Sequence, residues 1–336
     1  MNKSKVTDYD YIDFLIGTQK VYSCTEAERV QPYETGGPSH DAFTRHLHRL
    51  FPNTDRLWSE VREHVDLTKG CLICDDSTLD KFYSRNIQLV TRHWSGKHKR
   101  VVSGISLITL LWTDGERYLP VDYRIYNKST DGLTKNDHFL AMLRTAAKRG
   151  FTPEFILFDT WYASLENLKF IRALSWFWLT RFACNRHINP DKTGNRPVKE
   201  AVLSEQGNIV HLKGYGMIKV FKKVRPDDDF EYQATDDLKM TDLLRLKYAE
   251  VSWAIEVYHR GIKQFCGIER CQARSERAQR NHIEMALRAF LRLEYHCFVK
   301  GISWFEAKVS IVRNAVRAYL AKPIYTLQPI NIYATA

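Results

Sequence analysis

Residues 154–164, EFILFDTWYAS, place four apolar residues directly before an aspartate, Asp159. The apolar run has the length and composition of a buried strand. An ionised carboxylate at the end of such a strand costs several kcal/mol unless something neutralises it. Residues 71–77, CLICDDS, repeat the pattern, because this apolar run leads into Asp75 and Asp76. The question is what neutralises these acids.

The composition favours a large, folded and basic protein. With 336 residues and 44% hydrophobic content, the chain can bury a core large enough for one big domain or two to three smaller ones. It contains 50 lysine and arginine residues against 39 aspartate and glutamate residues, which gives a net charge of +11 and a pI near 9.2. This charge favours a polyanionic partner such as nucleic acid.

The sequence contains no apolar run of the length that a membrane span needs, so we expect no membrane partner and a cytoplasmic location. The seven cysteines are scattered and odd in number, which is typical of reduced thiols. Cys71 and Cys74 form a C-x-x-C pair, but no second pair follows at zinc-ribbon spacing. We interpret both as buried thiols.

The order of the patterns predicts an α/β fold with a mixed sheet flanked by helices. Strands are predicted near residues 71–77, 101–112, 117–126, 154–158 and 176–183, and helices near residues 137–150, 163–175, 243–265, 275–300 and 302–322. We divide the chain into a helical N-terminal DNA-binding module, the first part of a catalytic core, a small β-rich insertion, and a C-terminal part with Glu256: residues 1–66, 67–184, 185–242 and 243–336.

Three acids are candidates for one site. Asp76 and Asp159 follow apolar strands, and Glu256 lies within the helical stretch WAIEVYHRGIK. If the first and fourth predicted strands are neighbours, the two aspartates emerge side by side, and a helix over that edge adds the glutamate. Converging carboxylates repel one another, and their hard oxygen atoms suit magnesium or manganese. The pattern therefore predicts a site for two divalent ions that act on a phosphate.

Asp75 is the alternative to Asp76 as the ligand from the first strand. We favour Asp76 because a hydroxyl residue follows it, Ser77, as Thr160 follows Asp159. Equivalent strand ends should present equivalent side chains. Asp76 also has a non-catalytic interpretation as a turn or capping residue.

Cations accompany the predicted glutamate. Arg260 and Lys263 lie four and seven residues beyond Glu256, on one face of a helix, where a phosphate backbone would meet both. The alternative is a surface ion pair between Glu256 and Arg260, which is common in proteins. Further arginines either contact phosphate or solvate helix surfaces: Arg270, Arg274, Arg277, Arg280, Arg288 and Arg292.

The remaining candidates receive weaker roles. We interpret Trp253, one turn before Glu256, as core packing rather than as a platform for base stacking. His93, His98 and His259 have no metal-ligand partner at helical spacing, so we assign them no catalytic role.

Several segments resemble bacterial insertion-sequence transposases of the Asp-Asp-Glu class, which have an RNase H-like catalytic fold: DDSTLDKFYSR, HWSGKHKR, DGLTKND, FDTWYASLENL, WAIEVYHRGIKQFCGIERCQAR and AQRNHIEMALRAFLRLEYH. The resemblance spans residues 9–325. It implies that Asp76, Asp159 and Glu256 bind two Mg²⁺ ions, for which Mn²⁺ can substitute. It further implies cutting of double-stranded DNA at transposon ends, joining of the 3′ hydroxyl to target DNA, a dimer or larger assembly on DNA, and association with the nucleoid.

Many members of this class carry a signature of Tyr, two residues, Arg, three residues, Glu, six residues and Lys. Glu256 and Lys263 match it, but Ser252 stands at the arginine position and Ala249 at the tyrosine position, with Tyr248 one place away. In relatives these two residues help to hold the DNA end, so we expect end recognition to differ here. Some relatives also stack a flipped base on a tryptophan of the insertion, and residues 185–240 contain none.

Two other classes of function remain as alternatives. A catalytically silent DNA-binding protein derived from a transposase would be indicated by loss of an acid, but all three acids are present. A carboxylate-based hydrolase of a neutral substrate, such as a glycosidase, works with a pair of acids and no metal. The basic composition argues against that second class.

Overall fold

The computed structural model describes residues 5–32, 37–95, 100–224 and 230–323. Its centre is a mixed sheet that has nine strands in these residues and is flanked by helices, as the sequence predicts. None of the helices in the described ranges combines the length and the apolar composition needed to cross a membrane.

The strands are β1 (Cys71–Asp80), β2 (Thr91–Ser95), β3 (Arg100–Thr113), β4 (Leu119–Tyr126), β5 (Phe155–Phe158), β6 (Trp178–Phe182), β7 (His187–Ile188), β8 (Arg196–Pro197), β9 (Asn208–Leu212), β10 (Gly216–Val224) and β11 (Phe230–Thr235). The helices are α1 (Asp8–Gly17), α2 (Cys24–Arg29), α3 (His40–Arg49), α4 (Asp55–Val61), α5 (Lys135–Lys148), α6 (Leu165–Ala173), α7 (Asp242–Val251), α8 (Ala254–Phe265), α9 (Glu276–Lys300) and α10 (Trp304–Ala321).

The sheet order is β2-β3-β1-β5-β6-β11-β10-β9, with β4 also paired to β3. The strands β1, β5 and β6 are parallel neighbours, and the other pairings in this sheet are antiparallel. The predicted adjacency of the first and fourth apolar runs is therefore confirmed, because β1 pairs with β5. The strand β2 was missed, since it lies in a basic segment that reads as a turn.

The β-rich residues after β6 extend the main sheet. The strand β11 pairs with β6 in the register Tyr232↔Phe182 to Thr235↔Leu179, and β10 and β9 follow outward. The strands β7 and β8 form a separate two-stranded sheet. Most of the predicted insertion thus continues the sheet that carries the acids.

The N-terminal helices pack onto α9 and share the core of the sheet domain. The buried residues Tyr11, Phe43 and Leu47 belong to the same hydrophobic cluster as β1 and β5. The Tyr11 hydroxyl lies 2.9 Å from Nδ1 of His282, which is buried in α9. These contacts attach the N-terminal helices to α9.

The long helical pattern from residue 243 to 265 is broken into two helices. The helix α7 ends at Val251 and α8 begins at Ala254. The Ser252 hydroxyl donates to the backbone carbonyl of Ala249 at 2.6 Å, a local bond that competes with continued helix. Glu256 therefore lies in the first turn of α8. The sequence pattern instead predicts a position in the middle of a helix.

Candidate active site

The site opens where β5 stops and β1 continues. The paired residues run from Cys71↔Phe155 to Cys74↔Phe158, and Asp159 follows directly after β5. The strand β1 continues to Asp80 because β3 pairs with it along its whole length. The prediction that Asp76 ends the first strand is therefore wrong, since this residue lies within β1.

Acids crowd the cavity at this edge. Successive side chains of a strand point to opposite faces, so Asp75 and Asp76 face in different directions. A cavity of about 900 Å³ is lined by both of them and by Asp159 and Glu256. An adjoining cavity of about 210 Å³ is lined by Asp75, Asp159 and Glu256, and its lining does not include Asp76. The structure thus brings the predicted acids to one place and adds Asp75.

Asp75 faces the other two acids. Burial raises the pKa of Asp75 well above its usual value, and the negative charges of Asp76, Glu256 and Asp159 act in the same direction. In the described part of the chain, Asp75, Asp159 and Glu256 form no ion pair with a lysine, arginine or histidine. Their negative charge is not neutralised by the described protein groups.

Asp76 is neutralised by the protein itself. The Lys135 ammonium donates to its Oδ2 at 2.6 Å, and the Tyr162 hydroxyl donates to its Oδ1 at 3.0 Å. Lys135 is the first residue of α5, whose start is fixed by a reciprocal cap between Thr134 and Asp137. Both carboxylate oxygens of Asp76 therefore have protein partners.

These contacts join β1 to the turn that follows Asp159. Tyr162 ends the 3₁₀ turn Thr160–Tyr162. The Asn136 side chain donates to the carbonyl of Trp161 at 3.2 Å. The buried Asn167 donates to Oδ1 of Asn136 at 2.7 Å and to the carbonyl of Tyr162 at 3.0 Å. The turn is held from behind by α5 and α6, which fixes the backbone beside Asp159.

The donor set fits a divalent cation. Carboxylate oxygens are hard ligands of the kind that magnesium and manganese prefer. Asp75, Asp159 and Glu256 crowd negative charge around one cavity, and a divalent ion would neutralise it. Within the described ranges, no three His, Cys, Asp or Glu side chains already form a metal-binding cluster. The acids share the lining of a cavity in this structure without forming such a cluster.

Comparison with known proteins gives the family of the chain. A family model described as a transposase DDE domain matches residues 68–292, which span more than half of the chain and include Asp75, Asp76, Asp159 and Glu256. The chain belongs to this transposase family. No curated protein matches it.

A solved transposase structure has a similar fold. A cryo-EM structure of the piggyBac transposase synaptic complex with hairpin DNA is similar to 97% of this chain and 74% of that chain, at 12% identity and a TM-score of 0.54. The Drosophila P element transposase strand transfer complex has 13% identity, with 52% of this chain and 37% of that chain covered and a TM-score of 0.28. The Mos1 strand transfer complex has 10% identity, with 52% of this chain and 58% of that chain covered and a TM-score of 0.21. The first likeness shows that the mixed sheet flanked by helices is a transposase fold.

The basic residues predicted to contact phosphate differ in whether they are already paired within the protein. Lys263 lines the larger cavity, but its ammonium donates to the carbonyl of Thr78 at 2.8 Å and pairs with Glu269 at 3.1 Å. Arg260 and Arg270 also line this cavity and are exposed. Neither arginine forms an ion pair within the described residues. Both are therefore better placed than Lys263 to meet a phosphate.

The arginines in α9 and just before it divide into paired residues and exposed residues outside the cavity. Arg288 is buried and contacts Asp8 at 2.6 Å and Glu60 at 2.7 Å, and Arg292 contacts Glu60 at 2.8 Å. Arg280 pairs with Glu276 at 2.7 Å. A solvating or phosphate-binding role is therefore wrong for Arg288, which joins α9 to the N-terminal helices. The exposed residues Arg274 and Arg277 are outside the lining of the acid cavity.

Two tryptophans beside the acids are exposed. Trp253 lines both cavities with 58% of its surface exposed, so its prediction as a core residue is wrong. The break between α7 and α8 places it at the surface. Trp161 was missed by sequence reasoning and is 67% exposed, two residues after Asp159.

The three histidines to which the sequence analysis assigns no catalytic role differ in their surroundings. His259 is buried beside the larger cavity, where burial and the charge of Lys263 lower its pKa to about 3. It is therefore neutral at physiological pH. Burial and the charge of Lys135 also lower the pKa of His93. His98 lies outside the described residues.

Proposed function

We propose that this protein is a DNA transposase that uses divalent metal ions to cut at the ends of an insertion sequence and joins the freed 3′ hydroxyl to target DNA. Membership of the transposase family supports the class of the protein. The observation that carries the chemistry is the set of carboxylates without a described protein cation, Asp75, Asp159 and Glu256, which line one cavity.

The contacts support Asp75, rather than Asp76, as the metal ligand from β1. Asp75 shares both cavities with Asp159 and Glu256, and its pKa responds to their charges. Asp76 is occupied by Lys135 and Tyr162. In this proposal Asp76 positions the turn that carries Asp159, and Asp75 replaces it as a ligand.

In this proposal the acids bind the metal ions and the arginines bind the DNA backbone. Bound at Asp75, Asp159 and Glu256, two Mg²⁺ ions, for which Mn²⁺ can substitute, would activate a water or sugar hydroxyl and stabilise the leaving oxygen. Arg260 and Arg270 hold the DNA backbone beside the carboxylates, since they line the same cavity. No covalent protein nucleophile is required.

Lys263 has a positioning role in this scheme. Its contact with the carbonyl of Thr78 holds α8 against β1, and so holds Glu256 over Asp75. Glu256 and Lys263 are the two positions that match the Tyr-Arg-Glu-Lys signature, which supports a place near that branch of bacterial insertion-sequence transposases. Arg274 is exposed beyond the cavity and contacts the DNA further from the acids.

The proposed partners are double-stranded transposon ends and target DNA at the nucleoid, bound by a dimer or larger assembly. The charge of +11 supports a polyanionic partner. A transposase must hold two DNA ends for joining, which supports more than one copy of the chain on DNA.

The test incubates the protein with a duplex that carries its element end and flanking DNA, in Mg²⁺, Mn²⁺ or EDTA, and maps the 3′ ends. We expect a new 3′ end at the element boundary in Mg²⁺ and none in EDTA. Binding without cleavage in Mg²⁺ or Mn²⁺ would instead identify a silent DNA-binding protein. Absence of both binding and cleavage would contradict the proposal.

A further inference from the structure

Two exposed aromatic rings follow β1 at the border of the acid cavity. Phe82 is 62% exposed and Tyr83 is 92% exposed, and their ring centres lie 5.0 Å apart, edge to face. Single exposed apolar residues are common on protein surfaces. Two adjacent aromatic rings next to a functional cavity are less easily explained by chance.

The loop that carries these rings is firmly attached. The buried Lys81 ammonium donates to the carbonyls of Glu269 and Cys271, each at 2.7 Å. The N–H of Gln88 donates to the carbonyl of Arg274 at 2.9 Å. Loop 81–90 is thus joined at both ends to the segment between α8 and α9. The rings are presented on a fixed frame.

Exposed arginines lie on the loop that carries the rings, on the segment attached to it and at the start of β3. We define the aromatic-arginine patch as the two rings and four exposed arginines: Phe82, Tyr83, Arg85, Arg100, Arg270 and Arg274. The guanidinium of Arg100 lies 5.6 Å from the ring centre of Phe82. These four arginines form no ion pair within the described part of the chain. The patch therefore offers positive charge together with flat apolar rings.

The patch is continuous with the proposed active site. Asp80, at the end of β1, lines the larger acid cavity and precedes the rings by two residues. Arg270 belongs to both the patch and the cavity lining. A DNA strand that leaves the carboxylates on this side would run onto the patch.

We propose that the aromatic-arginine patch binds unpaired DNA next to the cleaved phosphate, with bases stacked on Phe82 and Tyr83 and phosphates held by the arginines. Every base has a flat face that stacks on an aromatic ring, but in a duplex that face is covered by neighbouring bases. Arginines alone would serve duplex DNA equally well, so the rings indicate an unpaired strand. The inference rests on the proposed function, because it takes DNA as the substrate.

The test measures binding of a labelled single strand of about 30 nucleotides and of its duplex by fluorescence anisotropy. For Tyr83→Ala, we expect single-strand affinity to fall roughly 5- to 150-fold, since stacking contributes ~1–3 kcal/mol per base, and duplex affinity to change less than about twofold. Phe82→Ala should behave alike. Phe305→Ala is the matched control, because Phe305 is also 62% exposed but lies on α10.

A separate arm tests the charges. Arg85→Ala should weaken both DNA forms and reduce the slope of log affinity against log salt by roughly 0.7–0.9. Thermal unfolding of each variant at the wild-type temperature verifies folding, which we expect because the changed side chains are exposed.

The inference would be overturned if Tyr83→Ala lost equal affinity for single strand and duplex, or kept wild-type affinity for both. Either result would leave the proposed function intact. Failure of the wild-type protein to bind either DNA form would overturn both. A selective loss on the single strand supports the patch as a site for unpaired DNA.

Discussion

Two groups of acids in this protein have the same residue types and opposite surroundings. Beneath α9, the acids meet cations of the chain: Asp8, Glu60 and Glu284 lie against Arg56, Arg288 and Arg292. At the end of β5, Asp75, Asp159 and Glu256 meet no such cation within the described residues. In the first group, arginines of the chain neutralise the acids. In the second group, the acids have no such described partner.

The first group is a structural tie. Close contacts with His46 and Arg288 hold the pKa of Asp8 well below its usual range. Arg288 links two acids that come from different N-terminal segments. Buried charges persist only where they are paired, so this group holds the N-terminal helices against α9.

In the second group, the pKa of Asp75 moves in the opposite direction to that of Asp8. Its negative charges raise the pKa of Asp75 in addition to burial. An arrangement that opposes ionisation is a cost to the fold and is typical of functional sites. The comparison teaches that the partner of a carboxylate, and not the carboxylate itself, separates a scaffold from a site.

Removal of one acid from the second group should have the largest effect. We expect Asp75→Asn, Asp159→Asn and Glu256→Gln each to reduce Mg²⁺-dependent cleavage on the order of 10⁴-fold, about 5.5 kcal/mol, because each removes a metal ligand. DNA binding should stay within a few fold, since backbone contacts use other groups. Single-turnover cleavage and anisotropy measure the two quantities.

The exposed acid Asp13 on α1 supplies a control, and Asp13→Asn should cleave at the wild-type rate. Wild-type cleavage by any of the three site variants would remove that residue from the proposed site.

Removal of the cation from the first group should reduce stability instead. For Arg288→Met, we expect a loss of about 3–5 kcal/mol in the free energy of unfolding, because Asp8 and Glu60 lose a buried partner. Urea unfolding measures this loss. Arg260→Met, at an exposed position with no described ion pair, should stay within about 0.5 kcal/mol of wild type. Similar stabilities of the two variants would contradict the structural role of the first group.

Glu284 gives the comparison a pH dependence. Burial raises its pKa from 4.5 to about 7, although Arg56 and Arg288 act against this shift. The native state therefore keeps a proton on Glu284 that the unfolded state loses, so the contribution of Glu284 to wild-type stability falls as pH rises from 4.5 to about 7. Glu284→Gln lacks this dependence and should gain up to about 3 kcal/mol over wild type at pH 8, with little difference near pH 4. Urea unfolding across this pH range would refute the assignment if the difference stayed constant.

The smallest effect should come from the acid that the protein already neutralises in the active site. Asp76→Asn and Tyr162→Phe loosen the turn beside Asp159 without removing a ligand. We expect each to need about tenfold more Mg²⁺ for half-maximal cleavage, as outer-shell changes do, with the maximal rate largely kept. A rate near zero at saturating Mg²⁺ for Asp76→Asn would restore Asp76 as a ligand.

The sequence predicts the neighbouring strands and the meeting of the acids, because apolar runs and strand ends are local patterns. It does not separate Asp75 from Asp76, since the choice depends on which face of β1 lies under α8. The partners of Arg288 lie 228 and 280 residues away, so no local pattern shows that this arginine is buried. The exposure of Trp253 follows from the break between α7 and α8, which a continuous helical pattern hides.

The most direct test of the central claim is a calorimetric titration of the wild-type protein, Asp75→Asn and Asp76→Asn with Mn²⁺ alone. The account predicts that the wild-type protein binds Mn²⁺, that Asp75→Asn loses most of this binding, and that Asp76→Asn keeps it with an affinity weakened by roughly tenfold. Binding by Asp75→Asn that equals the wild type, together with its loss in Asp76→Asn, would contradict the account.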